Sequence, residues 1–277
     1  MIGRHSQSGL EELMNTTIFI PARYASTRYP GKPLAMLQGP DGPKSLIQRS
    51  WETACQVSEA DSVYVITDDN RIRSVAIDFG AEVIMTSAAC ANGTERCADA
   101  LDKLETDSDL IVNLQGDAPL TPPWFLSELI KAMQNSPNMD AATPVLRCDS
   151  ETLALFLEDR KAGRVGGTTA VFDRTKRALY FSKEVLPYTG RERFEPGVVP
   201  VFHHVGVYAY RPAALSAYMG WEEGPLERFE GLEQLRFLEN GAAMQCVEVD
   251  AKGRLFWELN NPEDVERIER VLMTEGA

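Results

Sequence analysis

No C-x-x-C pair and no Cys/His spacing suited to zinc occurs in this 277-residue sequence, and its five cysteines, Cys55, Cys90, Cys97, Cys148 and Cys246, are widely separated and odd in number. A disulfide framework and a structural zinc site are thereby excluded, and core packing is the reading for Cys97 and Cys246. No stretch supplies the roughly 18 uninterrupted apolar residues of a membrane-spanning helix. The opening MIGRHSQSGLEELMN lacks the apolar segment of a secretory signal. The expectation is a cytoplasmic protein without membrane insertion, whose residues 1–15 form a flexible extension. Positive charge is also scarce: 28 Lys and Arg face 41 Asp and Glu, for a net charge of -13. Such a chain repels a nucleic-acid backbone, and no basic-aromatic stripe offsets that. Two phosphate-binding signatures are missing as well, the G-x-x-x-x-G-K-[ST] loop and the dinucleotide G-x-G-x-x-G.

Against this acidic background stands one basic island. Ile18 to Leu34 reads IFIPARYASTRYPGKPL, an apolar strand run that breaks into a Gly/Ser/Pro-rich loop carrying Arg23, Arg28 and Lys32. Cations and loop amides at the C-terminal end of a first strand can converge on a chain of anionic oxygens, which suits a polyphosphate. The competing reading is three ordinary solvated loop residues.

The remainder alternates strand and helix patterns. LIQRSWETACQV and RIRSVAIDFG read as helices around the strand SVYVITDD, with EVIMTS following. GTERCADALDKL starts a helix after Asn92-Gly93, and DLIVNLQGDAPL is a buried strand ending at Gln115-Gly116-Asp117. This predicts a doubly wound α/β domain with a parallel sheet in at least the first half. WFLSELIKAMQ and LERFEGLEQLRFLEN read as amphipathic helices, VFHHVGVYAYR as a strand, and NNPEDVERIERVLM as a final helix capped by Asn260 or Asn261 with Pro262 at its first position. Asp117 sits where open α/β sheets place ligands; it can hold Mg²⁺ opposite the cationic loop, or merely cap the next helix. His204 and Tyr208, four apart in one strand, share a face and suit either a carboxylated, hydroxylated ligand or an interior pair. Periodicity alone makes Glu233 a helix surface residue.

IPARYASTRYPGKPL, NGTERCADAL, VNLQGDAPL, ALYFSKEVLPY, HHVGVYAYR and LEQLRFL together resemble the CMP-sugar-acid synthetases, in particular their 3-deoxy-manno-octulosonate cytidylyltransferase branch, from about Ile18 to Val271. The resemblance implies an α/β, nucleotide-diphospho-sugar transferase-like fold with a mixed, mainly parallel sheet, flanking helices and a smaller antiparallel insertion. It implies one domain over 16–277, with the insertion at about 160–215 serving sugar binding and dimer contacts. The activity implied is Mg²⁺-dependent transfer of CMP from CTP to a 2-keto-3-deoxy sugar acid by a homodimer, with release of pyrophosphate. Arg23, Lys32 and Asp117 would be catalytic. Ala22, Arg23, Arg28, Lys32, Asn92, Gly93, Thr94 and Arg96 would hold nucleotide. Gln115, Lys183, His204, Tyr208, Glu233 and Gln234 would hold the sugar acid, and Asp117 with Asn260 the metal. Three positions depart from the family pattern: Asn260 stands where an Asp belongs, Lys183 where an Arg is common, and Thr168-Thr169 where a basic residue is common. An amide oxygen still coordinates Mg²⁺ but brings no charge, and Lys lacks the bidentate guanidinium fork. A different sugar acceptor, or a nucleotide-binding paralogue with little turnover, are the alternatives.

Overall fold

The computed structural model describes residues 14–26, 29–104, 107–165, 167–189, 198–254, 258–259 and 261–275. Arg28 and Asn260 lie outside the described residues, as does most of the expected N-terminal extension. The strands are β1 (Thr16–Ala22), β2 (Met36–Leu37), β3 (Lys44–Ser45), β4 (Ser62–Thr67), β5 (Glu82–Met85), β6 (Leu110–Leu114), β7 (Ala141–Arg147), β8 (Thr169–Phe172), β9 (Ala178–Ser182), β10 (Phe202–His204), β11 (Val207–Tyr210) and β12 (Met244–Glu248). The helices are α1 (Leu46–Ala54), α2 (Asn70–Asp78), α3 (Gly93–Leu101), α4 (Pro123–Gln134), α5 (Ser150–Lys161), α6 (Pro212–Met219), α7 (Pro225–Glu230), α8 (Leu235–Glu239) and α9 (Asp264–Glu275).

Parallel pairing joins β5, β4, β1 and β6 in that order, and β11 then adds to β6 antiparallel. β10 and β11 run end to end along one side of β7, interrupted at Val205-Gly206, while β12 pairs with its other side. On its far edge β10 carries the antiparallel β8–β9 hairpin. A bridge between Arg177 and Gln245 brings that hairpin back towards β12. The fold is thus the expected mixed, mainly parallel sheet with an antiparallel addition.

Strand alternation divides the core. Ile18, Ile20, Val112 and Leu114 pack with Phe125, Leu126 and Leu129 of α4 on one face. Phe19, Ile111, Tyr208 and Tyr210 pack with Cys97 of α3, Leu215 of α6 and Phe237 of α8 on the other. Helix starts follow local capping: Ser45, Asp69 and Asn92 each accept a backbone N–H from the first turn of α1, α2 and α3.

Two expectations are corrected. LERFEGLEQLRFLEN is two short helices because Gly231, at φ 61°, ends α7 in the left-handed region. The final helix starts at Asp264 rather than Pro262, with the Asp264 carboxylate accepting the Asn261 N–H at 2.7 Å. α5 and α6 were not anticipated from the sequence.

Phe237 is fully buried, its ring 5.4 Å from Tyr210, 4.9 Å from Tyr218 and 5.8 Å from Trp221, so it ties β11, α6 and α8 together. Phe237→Ala should cost about 3–5 kcal/mol of unfolding free energy in a denaturant titration; a loss under about 1 kcal/mol would show that this cluster does not hold the elements.

Candidate active site

Because β1 and β6 are parallel neighbours, the loops leaving their C-terminal ends open on the same edge of the sheet. A cleft of about 310 Å³ lies there, lined by the β1 loop (Ala22, Arg23, Lys32), the β6 end (Gln115, Asp117) and the start of α3 (Asn92, Gly93, Arg96). Lys32 opens a 3₁₀ turn over Lys32–Leu34, and its Nζ donates to Asp117 Oδ2 at 2.9 Å. The two side chains are 15% and 27% exposed, so the pair is reachable from the cleft. The cation and the carboxylate that the sequence set 85 positions apart are in direct contact.

The β1 loop is closed by Gly31 N–H donating to Tyr24 O at 2.9 Å. Gly31 has φ 71°, and a Cβ there would stand 3.0 Å from the Tyr24 ring, so glycine is needed on both counts. The Arg71 guanidinium covers that ring at 3.3 Å from its centroid. Arg23 is exposed, with Nη1 3.5 Å from Ala91 O, and both residues line the cleft.

At α3, Asn92 Oδ1 caps Glu95 N–H at 2.8 Å while its Nδ2 donates to the Tyr218 hydroxyl at 3.2 Å. Glu233, between α7 and α8, accepts from Gly93 N–H on Oε2 at 3.1 Å, and from the Thr94 hydroxyl and Gln115 Nε2 on Oε1, each at 3.2 Å. Burial pushes the Glu233 carboxyl up to about 7, opposed by the Thr94 and Gly93 hydrogen bonds and reinforced by the Glu227 charge. A second cleft of about 740 Å³ adjoins the first and is lined in part by Arg23, Gln115, Tyr208, Glu233, Gln234 and Arg236. The Tyr208 hydroxyl donates to Gln234 Oε1 at 3.2 Å, and the buried Gln234 Nε2 has no partner among the described residues.

Other candidates sit differently from expectation. Arg96 is buried: its guanidinium donates to Thr86 Oγ1 at 2.6 Å and pairs with Asp68 at 3.1 Å, so it braces the ends of β4 and β5 while lining the first cleft. His204 and Tyr208 do meet, with ring centroids 5.5 Å apart. Yet His204 is buried with Nε2 3.0 Å from Thr143 Oγ1, outside the lining of both clefts, and burial drops its imidazole to about 3, leaving it neutral. Lys183 does not line either cleft, although its Nζ would be 3.0 Å from a Cβ on Gly231 at the edge of the second.

A family profile described as cytidylyltransferase matches residues 17–249. The chain belongs to the cytidylyltransferase family. Its sequence is 42% identical over 263 residues to the 3-deoxy-manno-octulosonate cytidylyltransferase of Maricaulis maris, covering 95% of this chain and 99% of that one. The mitochondrial 3-deoxy-manno-octulosonate cytidylyltransferase of Arabidopsis thaliana is 39% identical over 253 residues, with 91% and 81% covered. A solved CMP:2-keto-3-deoxy-manno-octonic acid synthetase, in complex with CTP, superposes with a TM-score of 0.79 at 31% identity, covering 93% of this chain and 98% of that one. A 4-diphosphocytidyl-2C-methyl-D-erythritol synthase from Anaerococcus prevotii, at 13% identity and a TM-score of 0.57, shares the fold alone.

In this cytidylyltransferase several groups around the clefts escaped the sequence reading. Arg236, 9% exposed, is held by Glu227 at 2.7 and 2.8 Å and by Glu95 at 3.2 Å, and all three line the second cleft. Asn113 of β6, fully buried beside Gly93, has both amide atoms without partners among the described residues. Asp68, the partner of the buried Arg96, also escaped, because the burial that makes that arginine require a carboxylate is set by tertiary packing. Among the described residues no group of three or more His, Cys, Asp or Glu converges as a metal cage.

The Glu233 carboxyl, raised from 4.5 to about 7, binds its proton more tightly in the folded than in the unfolded chain. Wild-type stability should therefore fall as pH rises across that window, as the charged form becomes costly to bury. Glu233→Gln should gain roughly 2–3 kcal/mol relative to wild type between about pH 5 and 8 in urea titrations; a difference independent of pH would contradict this.

Proposed function

We propose that this cytidylyltransferase transfers CMP from CTP to 3-deoxy-manno-octulosonate or a close 2-keto-3-deoxy sugar acid, in a Mg²⁺-dependent reaction that releases pyrophosphate. The observation that carries the reading is the Lys32–Asp117 pair, which puts a cation and a hard oxygen ligand on one cleft beside Arg23. The relatives' names supply the nucleotide and the acceptor. A homodimer belongs to the same proposal on the family resemblance.

The residues fit Mg²⁺. The cation keeps several waters and is held by one or two carboxylates together with substrate phosphates, so a protein cage is not needed. Asp117, at a strand end with Oδ2 on Lys32 and a partly exposed side chain, offers that carboxylate. When bound, the ion would withdraw charge from the phosphates and help orient the α-phosphate. Arg23 and Lys32 would bind the β- and γ-phosphates and stabilise the charge that grows on pyrophosphate as it leaves. The α3 start, whose Asn92 and Gly93 line the first cleft, would receive the nucleotide. Gln115, Tyr208 and Gln234 line the second cleft for the acceptor's hydroxyls, and Lys183 at its edge would face the acceptor's carboxylate.

A pyrophosphate-release screen across nucleoside triphosphates and candidate acceptors tests the proposal. CTP with a keto-deoxy sugar acid should be the productive pair; release with a sugar 1-phosphate instead, or CTP binding without release, would overturn it. Asp117→Asn should lower kcat at saturating Mg²⁺ by about 100-fold or more, with little change in unfolding midpoint for a partly exposed side chain. An unchanged kcat would remove Asp117 from the catalytic set.

A further inference from the structure

Asp68 and Asp69, which follow β4, each hold one arginine. Asp68 pairs with Arg96 at 3.1 Å on the lining of the first cleft, whereas Asp69 pairs with Arg71 of α2, and neither Asp69 nor Arg71 lines either cleft. Asp69 Oδ1 accepts the Arg71 backbone N–H at 2.8 Å and Nε at 3.0 Å, and Oδ2 accepts Nη2 at 2.5 Å. One carboxylate thus caps α2 and fixes the plane of the guanidinium. The carbon of that guanidinium lies 3.3 Å from the centroid of the Tyr24 ring. Tyr24 in turn engages Gly31 twice: its carbonyl accepts the Gly31 N–H at 2.9 Å, and its ring lies where a Cβ on Gly31 would stand 3.0 Å away. Lys32 is the next residue, and its ammonium is the cation on Asp117. A relay of contacts therefore runs from α2 to the lysine of the first cleft through groups behind it.

Global stability does not account for this relay. Arg71 is 59% exposed, and an exposed ion pair adds little to the folding free energy. A loop left to fluctuate, however, has to be ordered when its ligand binds, and the apparent affinity drops by the fraction of molecules already in the binding geometry. Resting on the proposed transfer reaction, we infer that Arg71 is a positioning residue for the nucleotide's triphosphate: by covering Tyr24 it keeps the β1 loop closed on Gly31, so that Lys32 stands in place before the phosphates arrive. Arg71 touches no substrate. Its effect is on binding, equal for the ground state and the transition state, so it belongs in KM for CTP rather than in kcat. A guanidinium stacks flat on a ring while an ammonium approaches as a point charge, so lysine replaces it only in part.

The test combines CTP affinity by calorimetry with Mg²⁺, KM and kcat for CTP by pyrophosphate release at saturating 3-deoxy-manno-octulosonate, and the urea midpoint of each variant. Arg71→Ala should weaken CTP binding and raise KM for CTP by about ten-fold, with kcat within about two-fold and the urea midpoint unchanged. Arg71→Lys should recover part of that loss. Asp69→Asn, which keeps a capping side chain but loses the ion pair, should weaken CTP binding by about three-fold. In a Lys32→Ala background, Arg71→Ala should cost less than about two-fold more, because the group it positions is gone. Unchanged CTP affinity in Arg71→Ala, an equal loss in both backgrounds, or a lowered kcat with KM unmoved would overturn the inference while wild-type turnover leaves the transfer reaction standing. Failure of wild type to release pyrophosphate would overturn both.

Discussion

The ion pair between Lys32 and Asp117 is the contact on which the site depends, and it exists because β1 and β6 are parallel neighbours. Thr16 to Phe19 lie opposite Leu110 to Asn113, so the chain leaves both strands on one edge of the sheet. There, the 3₁₀ turn points Lys32 back at the β6 loop. The turn is in turn set by the Gly31–Tyr24 closure and the Arg71 stack on the Tyr24 ring. This edge thus presents fixed charges of both signs, the Lys32 ammonium and Asp117 carboxylate in contact and the exposed Arg23 guanidinium on the same cleft.

The second cleft is built differently, from polar groups resting on an aromatic base. Tyr208 and Tyr210 stack at 5.8 Å, Tyr210 stacks on Phe237, and Tyr218 bonds both Asn92 Nδ2 and Glu233 O through its hydroxyl. That packing holds the segment between α7 and α8 against the start of α3, so Glu233 is positioned by three neutral donors rather than by a cation. An unpaired carboxylate in such surroundings keeps its proton to a higher pH. The same burial that shapes the cleft therefore tunes its acid.

Much of this was legible in the chain. The apolar run before Arg23, the strand ending at Gln115-Gly116-Asp117 and the helix start after Asn92-Gly93 are local signals, each set by periodicity or by a turn residue, and the structure brings those segments to one cleft. What was hidden depends on tertiary context. Arg96 reads like a ligand contact until Asp68 and Thr86 are seen to hold it. Glu233 reads as helix surface because the break at Gly231 is invisible to an apolar pattern that continues on both sides. His204 could be placed on a face by alternation, but whether that face meets a cleft or Thr143 is settled only by the sheet's assembly.

The most direct check is a double-mutant cycle on CTP affinity, measured by calorimetry with Mg²⁺ on wild type, Lys32→Ala, Asp117→Ala and the double variant. Side chains acting on one bound triphosphate should show a coupling of about 1 kcal/mol or more. Losses that add to within about 0.5 kcal/mol would contradict a single shared site.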